Sequence, residues 1–297
     1  MVYLFAIASA LTSSLGGVLQ RLGLETAPAD RAMRLGLLTH ALRRGVWLAG
    51  FGLLLATFVL QAMALRFGDL SVVQPIITLD LLFLIGILSL FFHHRLTWRE
   101  LAGAGAVVAG LAGFLALAHP AEGRGIPGSA GWLVVTAVVV VVAVVLVVTT
   151  RWGPRWWRAA AFGIAAAMLF AYNASLTKAT TTLITQGWGH VFVNWEPYAI
   201  AVTGLVGFFL LQNALHAGPI AASRTALVIV NPLVSILIGI TVFGESLRTG
   251  HGFIVGEIAA LVVLCAGVYV LAQSPMVTGT GAAGEMLRAG TGAPAAD

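Results

Sequence analysis

The segment SVVQPIITLDLLFLIGILSLFF, residues Ser71 to Phe92, is long and apolar enough to cross a lipid bilayer. Two of its residues are unusual in such a helix. Pro75 lies in the first turns, and Asp80 lies about ten residues, or roughly 15 Å, from the end of the helix. A charged group at that depth is costly and usually faces a cavity or a partner. The segment therefore predicts a membrane helix that carries part of a functional site.

The whole chain has the composition of a polytopic membrane protein. Of its 297 residues, 59% are hydrophobic and 9% are charged, whereas soluble domains have about 25% charged residues. The formal charge of +5 lies beside apolar runs rather than on one soluble face, so no nucleic-acid partner is expected. The sequence predicts an all-α fold with about nine transmembrane spans, close to residues 2–24, 44–66, 70–93, 98–118, 130–150, 158–184, 196–217, 220–243 and 252–273.

The distribution of arginine in the loops predicts the orientation of these spans. Positive charge is retained on the cytoplasmic side of short loops. The loops after spans 1, 3, 5 and 7 hold ten arginines, whereas those after spans 2, 4, 6 and 8 hold only Arg66, Arg124 and Arg248. No basic residue precedes Arg21, so the first run is interpreted as a span and not as a cleaved signal. We expect a multi-pass protein of the cell membrane with an external N-terminus and a cytoplasmic C-terminus.

Two blocks of the sequence share the same order of features. ALRFGDLSVVQ from Ala64 matches ALHAGPIAASR from Ala214, and each block is followed by a proline-bearing span, a polar corner and a closing span. Spans 1–4 therefore correspond to spans 6–9. Because span 5 crosses once between them, the two four-helix repeats are predicted to have inverted topology. The predicted units are a first repeat at 1–119, a linking helix with its loops at 120–157, a second repeat at 158–273 and a disordered cytoplasmic tail at 274–297.

The glycine turn, the proline-bearing span, the corner FGESL and the glycine-bearing last span resemble the drug/metabolite transporter superfamily with EamA-like repeats. That resemblance implies two inverted halves and a transport function. Members commonly have ten helices, and residues 25–45 of this chain are too polar to supply the tenth. The nine spans, Ser13 and Ser14 ahead of Arg21, and WLAG from Trp47 also resemble the NIPA-type branch, which implies magnesium transport.

Four ionisable residues are predicted to lie deep in the spans: Asp80, Lys178, Arg224 and Glu257. They either line a translocation cavity or form buried pairs that fix helix packing. If Asp80 takes and releases a proton in each cycle, it couples transport to the proton gradient. If it is paired with Lys178 or Arg224 throughout, its role is structural.

Prolines and neutral polar residues concentrate in the same spans. A proline in a helix removes a backbone donor, so Pro75 and Pro232 mark candidate helix breaks. Pro232 is the stronger candidate because it lies farther inside its span. Glu245 at the corner after span 8 is interpreted as a rim or capping residue. The remaining candidates for a substrate or coupling site are Gln74, Tyr172, Asn173, Gln212, Asn213 and Asn231.

The motifs expected of an enzyme are absent from the sequence. It contains no nucleotide-binding glycine loop, no GxSxG and no HExxH pattern, and its histidines lack metal-ligand spacing. We therefore expect no catalytic residue, no cofactor and no assigned metal site; an intramembrane enzyme that uses Asp80 or Glu257 is the less favoured alternative. The predicted function is a proton-coupled transporter of a small metabolite or drug in the bilayer. The alternatives are a NIPA-type divalent-cation transporter and a non-transporting partner or lipid-linked-sugar flippase component, and a homodimer is left open.

Overall fold

A computed structural model describes residues 1–24, 44–92, 96–118, 127–245 and 251–278 of the chain. Within these ranges the protein is built from helices, nine of which are long and apolar enough to cross a membrane. The helices are α1 (Val2–Leu24), α2 (Gly45–Phe67), α3 (Leu70–Ile77), α4 (Leu79–Phe92), α5 (Trp98–Ala118), α6 (Ser129–Thr149), α7 (Arg155–Gln186), α8 (Trp188–Val193), α9 (Glu196–Ala217), α10 (Ile220–Thr241), α11 (His251–Ala272) and α12 (Pro275–Thr278).

The predicted spans agree with these helices within a few residues at each end, and α3 and α4 together form the third span. The short helices α8 and α12 were not predicted. The tail predicted to be disordered from residue 274 begins with an ordered segment, because Ser274 and Val277 are buried and residues 275–278 are helical. The remainder of that tail, and most of the polar stretch 25–45, lie outside the described residues.

The outer surface of the helices is apolar. In α6 the side chains of Val138, Val141 and Val144 are each more than half exposed, and Leu205 of α9 is 73% exposed. Large contiguous apolar surfaces are rare on soluble monomers, whereas helices in lipid require them. The exposed valines are typical of a helix that faces lipid, and the chain is a multi-pass membrane protein.

The long helix α7 forms the centre of the structure. Most of its residues between Ala159 and Leu183 are buried, many of them alanines that allow close packing. It contacts α2, α3, α6, α9 and α10. The charged side chain of Lys178 is therefore held among neighbouring helices, whereas Arg155 and Arg158 are exposed at the start of α7.

The helix pairs follow a regular scheme. In the first half α1 packs against α2, α3 and α4, and in the second half α7 packs against α9 and α10. Between the halves, α3 packs against α10 and α5 against α11. These two pairs join spans that are equivalent in the predicted repeat, whereas α2 and α7, which also meet between the halves, are not equivalent.

Glycine allows the close approach of α5 and α11. A methyl group on Gly267 would lie 2.7 Å from the carbonyl oxygen of Gly103, and one on Gly110 would overlap the backbone at Leu264. The run GAGAVVAGLAG from Gly103 is therefore a packing surface, as small residues in membrane helices usually are.

Candidate functional site

The third span is broken at Thr78, between α3 and α4. Pro75 has no N–H to donate to the carbonyl four residues earlier, and the Thr78 hydroxyl donates to the carbonyl oxygen of Pro75 itself at 2.6 Å. The Thr78 N–H points to the same carbonyl in a tight turn, at 3.2 Å. Asp80 follows in the first turn of α4, where a carboxylate is favoured by the positive end of the helix dipole. The proline and the carboxylate noted in the sequence therefore belong to one local feature.

The expectation that Pro232 marks the stronger break was wrong, because α10 runs without interruption from Ile220 to Thr241. A hydroxyl follows each proline after three residues, but the two behave differently. Thr78 satisfies the Pro75 carbonyl, whereas the Ser235 hydroxyl has no hydrogen-bond partner among the described residues. The side-chain bond at Thr78 gives the backbone an alternative to the regular helical ladder.

Asp69, Lys178 and Glu245 form a buried group that we term the ion triad. The Lys178 Nζ donates to Asp69 Oδ1 at 2.9 Å and to Glu245 Oε1 at 2.6 Å. The side chain of Glu245 is completely buried, and those of Lys178 and Asp69 are 13% and 11% exposed. The Lys178 ammonium also lies 5.2 Å from the ring centre of Phe243, within the range of a cation–π contact.

The ion triad also caps a helix. Glu245 Oε1 accepts the N–H of Leu70 at 2.8 Å, and Oε2 accepts the N–H of Ser71 at 3.0 Å. These donors lie in the first turn of α3, where N–H groups lack helical partners. Asp69 stands at the N-cap position but its side chain makes no capping bond, so it is available to Lys178. The negative charge of Glu245 therefore lies against the positive end of the α3 helix dipole.

Gly239 of α10 makes room for this arrangement. A methyl group at that position would overlap the Glu245 carboxylate. The contact also fixes the register of α3 and α10, because Gly239 lies beside the carboxylate that binds Leu70 and Ser71. Glu245 is thus a capping residue, as expected, but it caps a helix that begins 175 residues earlier in the chain.

A pocket of about 210 Å³ lies at the beginning of α4. Its charged lining residues, within the part of the chain that the structure describes, are Asp80 and Arg224. Ser14 Oγ donates to the backbone carbonyl of Asp80 and so holds α1 against the start of α4. The other lining residues are Ser13, Gly17, Val18, Leu84, Leu88 and Val277.

The ion triad and the pocket lie toward opposite ends of the helix bundle. If each long helix crosses once, Asp69, Glu245 and the end of α7 beyond Lys178 share one side. Arg224, Leu88 and Val277 then lie toward the other. Asp80 follows Asp69 by eleven residues, or roughly 16 Å along a helix. The broken third span therefore joins a fully bonded charge cluster to a pocket that contains charge.

Several buried polar atoms between these two regions have no hydrogen-bond partner among the residues that the structure describes. The atoms are Ser71 Oγ and Gln74 Nε2 on α3, and Asn231 Oδ1 and Ser235 Oγ on α10. Ser235 is one turn from Gly239 and Gln74 is one turn from Leu70, so the two lie at similar depth in the antiparallel pair. An unpaired buried polar group costs about 1–3 kcal/mol. We term the region of these four atoms the seam. It is the part of the α3–α10 contact with the fewest satisfied polar groups.

The other candidate site residues lie outside the pocket lining. Tyr172 bonds to Thr136 Oγ1 at 2.6 Å, and Asn173 donates to the Ile200 carbonyl at 2.7 Å and to Thr203 Oγ1 at 2.9 Å. These bonds join α7 to α6 and α9. The amide of Asn213 bonds to its own helix and Gln212 is half-buried on α9, while Glu257 is buried on α11 with one oxygen unpaired among the described residues.

Lys178 does not join Asp80 and Arg224, and the residues that hold it were missed as site residues. Asp69 follows Gly68 in a turn, a pattern typical of a local helix cap, and Glu245 is interpreted from the sequence as a rim or capping residue. The acidic corner FGESL was the available signal for Glu245. In the described ranges, no group of three or more His, Cys, Asp or Glu residues is placed to hold a metal ion.

Comparison with known proteins gives a relative that spans nearly the whole chain. The chain is 31% identical over 283 residues to a protein of Corynebacterium glutamicum that is described as uncharacterized. The match covers 94% of this chain and 98% of that protein. No family model matches the chain, and no solved structure matches it significantly.

Proposed function

The chain belongs to the same family as this Corynebacterium glutamicum protein, and we propose that it is a secondary transporter that moves a small polar solute by alternating access. The observation that carries the proposal is the contrast along the third span. One end of that span is closed by the ion triad, and the pocket with Asp80 and Arg224 lies toward the other end. In alternating access the substrate site is closed to one side of the membrane while it is reached from the other.

The helix pairing supports the inverted repeat on which the proposal depends. Equivalent contacts occur within the two halves, α1 with α2 and α7 with α9, and the equivalent spans α3–α4 and α10 pack against each other. Leu70 lies near the end of α10 and Asp80 shares a pocket with Arg224 near its start. The two equivalent spans therefore run antiparallel, as inverted repeats require.

The broken third span supplies the element that changes between states. Its half-helix α3 is held at one end by the Glu245 carboxylate and at the other by the Thr78–Pro75 bond. The seam between α3 and α10 contains unpaired polar groups, so water or solute entering it would gain hydrogen bonds. Opening the ion triad would release the capped end of α3 and expose this seam.

The proposed membrane orientation rests on the loop charges, and the proposed proton coupling rests on Asp80. The distribution of arginine in the loops supports a pocket on the cytoplasmic side and an ion triad on the external side. In this proposal the described conformation faces the cytoplasm. Asp80 is the proposed proton-coupling group because its carboxylate borders the pocket, whereas the carboxylates of Asp69 and Glu245 are bonded to Lys178.

The drug/metabolite transporter resemblance with its EamA-like repeats is part of this proposal, and a NIPA-type magnesium transporter is its alternative. Magnesium prefers carboxylate and carbonyl oxygens. The charges argue against magnesium, because Arg224 shares the pocket with Asp80, and Lys178 occupies the position between the Asp69 and Glu245 carboxylates. A non-transporting partner or flippase component would suit a dry, closed interface, and the charged pocket disfavours it.

The test is an uptake screen in proteoliposomes with an imposed pH gradient, using magnesium, small amino acids, organic anions and cationic drugs. We expect saturable uptake of at least one solute, and at least tenfold less uptake by Asp80→Asn. Glu196→Gln is the matched control, since it makes the same chemical change at a buried carboxylate of α9 outside the pocket. Uptake no greater than in empty liposomes for every solute would overturn the proposal, and equal uptake by Asp80→Asn would remove its coupling role.

A further inference from the structure

Residues 274–278 follow α11 and fold back onto the helix bundle, and we term this segment the strap. Its last four residues form the short helix α12, which contacts α4 and α11. Ser274 is 3% exposed and Val277 is 7% exposed. Gln273, just before the strap, and Pro275, within it, are exposed. The strap therefore packs against the bundle through one face.

The buried valine of the strap is part of the wall of the pocket. Val277 borders the same cavity of about 210 Å³ as Leu84, Leu88 and Asp80. Asp80 and Leu88 are separated by two turns of α4, or roughly 12 Å. Leu88 and Val277 lie toward the end of the bundle at which α4 and α11 finish. A solute that approaches Asp80 from that end therefore passes the strap.

One carboxylate anchors the strap to the start of α5. The Ser274 hydroxyl donates to Glu100 Oε1. The other oxygen, Oε2, accepts the N–H of Thr97 at 2.8 Å and the hydroxyl of Thr97 at 2.9 Å, in the manner of a capping box. Glu100 is buried, so its bond to Ser274 is shielded from water. The same side chain therefore caps α5 and holds the strap.

The remaining bonds of the strap are local. The Val277 N–H donates to the Ser274 carbonyl within the strap, and the Ser274 N–H donates to the carbonyl of Leu271 at the end of α11, both at 3.0 Å. So short a helix has little stability of its own, and segments with few buried contacts open locally at low cost. Loss of the Glu100 bond or of the buried valine should therefore release the strap and leave the long helices in place.

We propose that the strap is a gate at the entrance of the pocket. The Ser274–Glu100 bond and the buried side chain of Val277 hold it against α4, where it narrows the route to Asp80, and it moves away when a solute enters or leaves. The gate goes beyond the proposed transport function and rests on that function for its biological role. Access to the pocket is measurable without any transported solute.

Access is measured as the rate at which an impermeant thiol reagent labels Leu84→Cys, in membrane vesicles of both orientations and with Cys265 replaced by serine. Ser274→Ala removes the hydroxyl that donates to Glu100 and leaves the residues that line the pocket unchanged. We expect about fivefold faster labelling, because the loss of one net hydrogen bond changes an opening equilibrium by about this factor. Ser175→Ala is the matched control, since it removes a buried hydroxyl that bonds within α7, and it should leave the rate unchanged.

A second cysteine position separates gating from a general loosening of the bundle. Ser71→Cys reports on the seam, and Ser274→Ala should leave its labelling rate unchanged. Equal acceleration at Ser71→Cys would show that the whole bundle had loosened. That result, or an unchanged rate at Leu84→Cys, would overturn the proposal.

Val277→Cys tests the gate while the Ser274–Glu100 bond is intact. Cysteine behaves as a small apolar residue in protein interiors, so this variant keeps the character of the side chain. The reagent should label Val277→Cys roughly tenfold faster than Val268→Cys, the same change at a fully buried site of α11, because local opening exposes only the strap. Equal rates would mean that the strap is a fixed part of the core, and the gate would be wrong.

The two proposals fail in distinguishable ways. If Ser274→Ala accelerates the labelling of Leu84→Cys but no solute crosses proteoliposomes, the transport proposal fails and the gate stands. If a solute is transported equally well by Ser274→Ala and the labelling rate is also unchanged, the gate is wrong and the transport proposal stands.

Discussion

The ion triad and the pocket both contain acidic and basic side chains but differ in their surroundings. In the triad, Lys178 contacts two carboxylates at 2.6 and 2.9 Å, and both oxygens of Glu245 also accept backbone N–H groups. In the pocket, Asp80 and Arg224 border an open volume of about 210 Å³. The saturated charges of the triad stabilise one conformation, whereas a carboxylate that borders a cavity, as that of Asp80 does, can be reached by a solute.

Removing Glu245 should have the largest effect on stability. Glu245→Ala deletes a partner of Lys178 and the acceptors of the Leu70 and Ser71 N–H groups. Breaking a buried ion pair by losing one partner costs about 3–5 kcal/mol, so we expect a loss of that size in the free energy of unfolding, measured by denaturant titration in detergent. Glu196→Gln serves as the control and should cost less. A loss for Glu245→Ala below about 1 kcal/mol would mean that the triad is not a saturated group.

Weakening the triad should change which region is open. With Cys265, the only cysteine of the chain, replaced by serine, single cysteines at Leu84 and Ser71 report on the pocket and on the seam. Lys178→Met should slow the labelling of Leu84→Cys by an impermeant thiol reagent roughly tenfold, and it should accelerate the labelling of Ser71→Cys by a similar factor. The reason is that losing the triad destabilises the described conformation, so the population of the alternative conformation increases. The rates are measured in membrane vesicles of both orientations. Unchanged rates at both positions would separate the triad from any conformational change.

The helix break should respond to a smaller change. Thr78→Val keeps the shape of the side chain but removes the hydroxyl that donates to the Pro75 carbonyl at 2.6 Å. Loss of one such hydrogen bond costs about 1 kcal/mol, and we expect solute binding at the neighbouring Asp80 to weaken several-fold. Thermal unfolding and titration measure the two effects. Thr241→Val on α10 is the control, since its hydroxyl bonds only within its own helix.

The smallest effect is expected at a hydrogen bond that belongs to neither region. Tyr172→Phe removes the bond between the Tyr172 and Thr136 hydroxyls, and helix–helix hydrogen bonds of this kind in membranes average about 0.6 kcal/mol. Tyr172→Phe should lower the free energy of unfolding by that amount, measured by thermal unfolding, and should leave solute binding unchanged. If Tyr172→Phe abolished binding, the pocket would have to extend to α7 and the separation of the two regions would be wrong.

Local patterns in the sequence predicted the elements well. Apolar runs of about 20 residues are sufficient to place the nine spans, because a helix in lipid must be apolar along its whole length. The same reasoning identified Asp80 and Arg224 as buried charges, and the structure places both at one pocket. Their proximity could be anticipated only through the repeat, which aligns the two spans on which they lie.

The partners of Lys178 could not be predicted in the same way. Glu245 reaches Leu70 across 175 residues, and no local pattern encodes which distant carboxylate will cap a given helix. Asp69 looks like an ordinary N-cap, and its function depends on Glu245 having taken that role. The preference for Pro232 as the break failed for a related reason, since the outcome depended on whether a hydroxyl three residues later found an acceptor.

The distance between Leu70 and Glu245 along the chain also affects how the protein is made. A ribosome that adds about 5–20 residues per second needs roughly 10–35 s to synthesise the intervening chain. During that interval α3 is without its carboxylate cap. Of the two partners that Lys178 has in the folded protein, Asp69 is synthesised before it and Glu245 after it, so the charge cluster can be completed only when nearly all of the helices have been made.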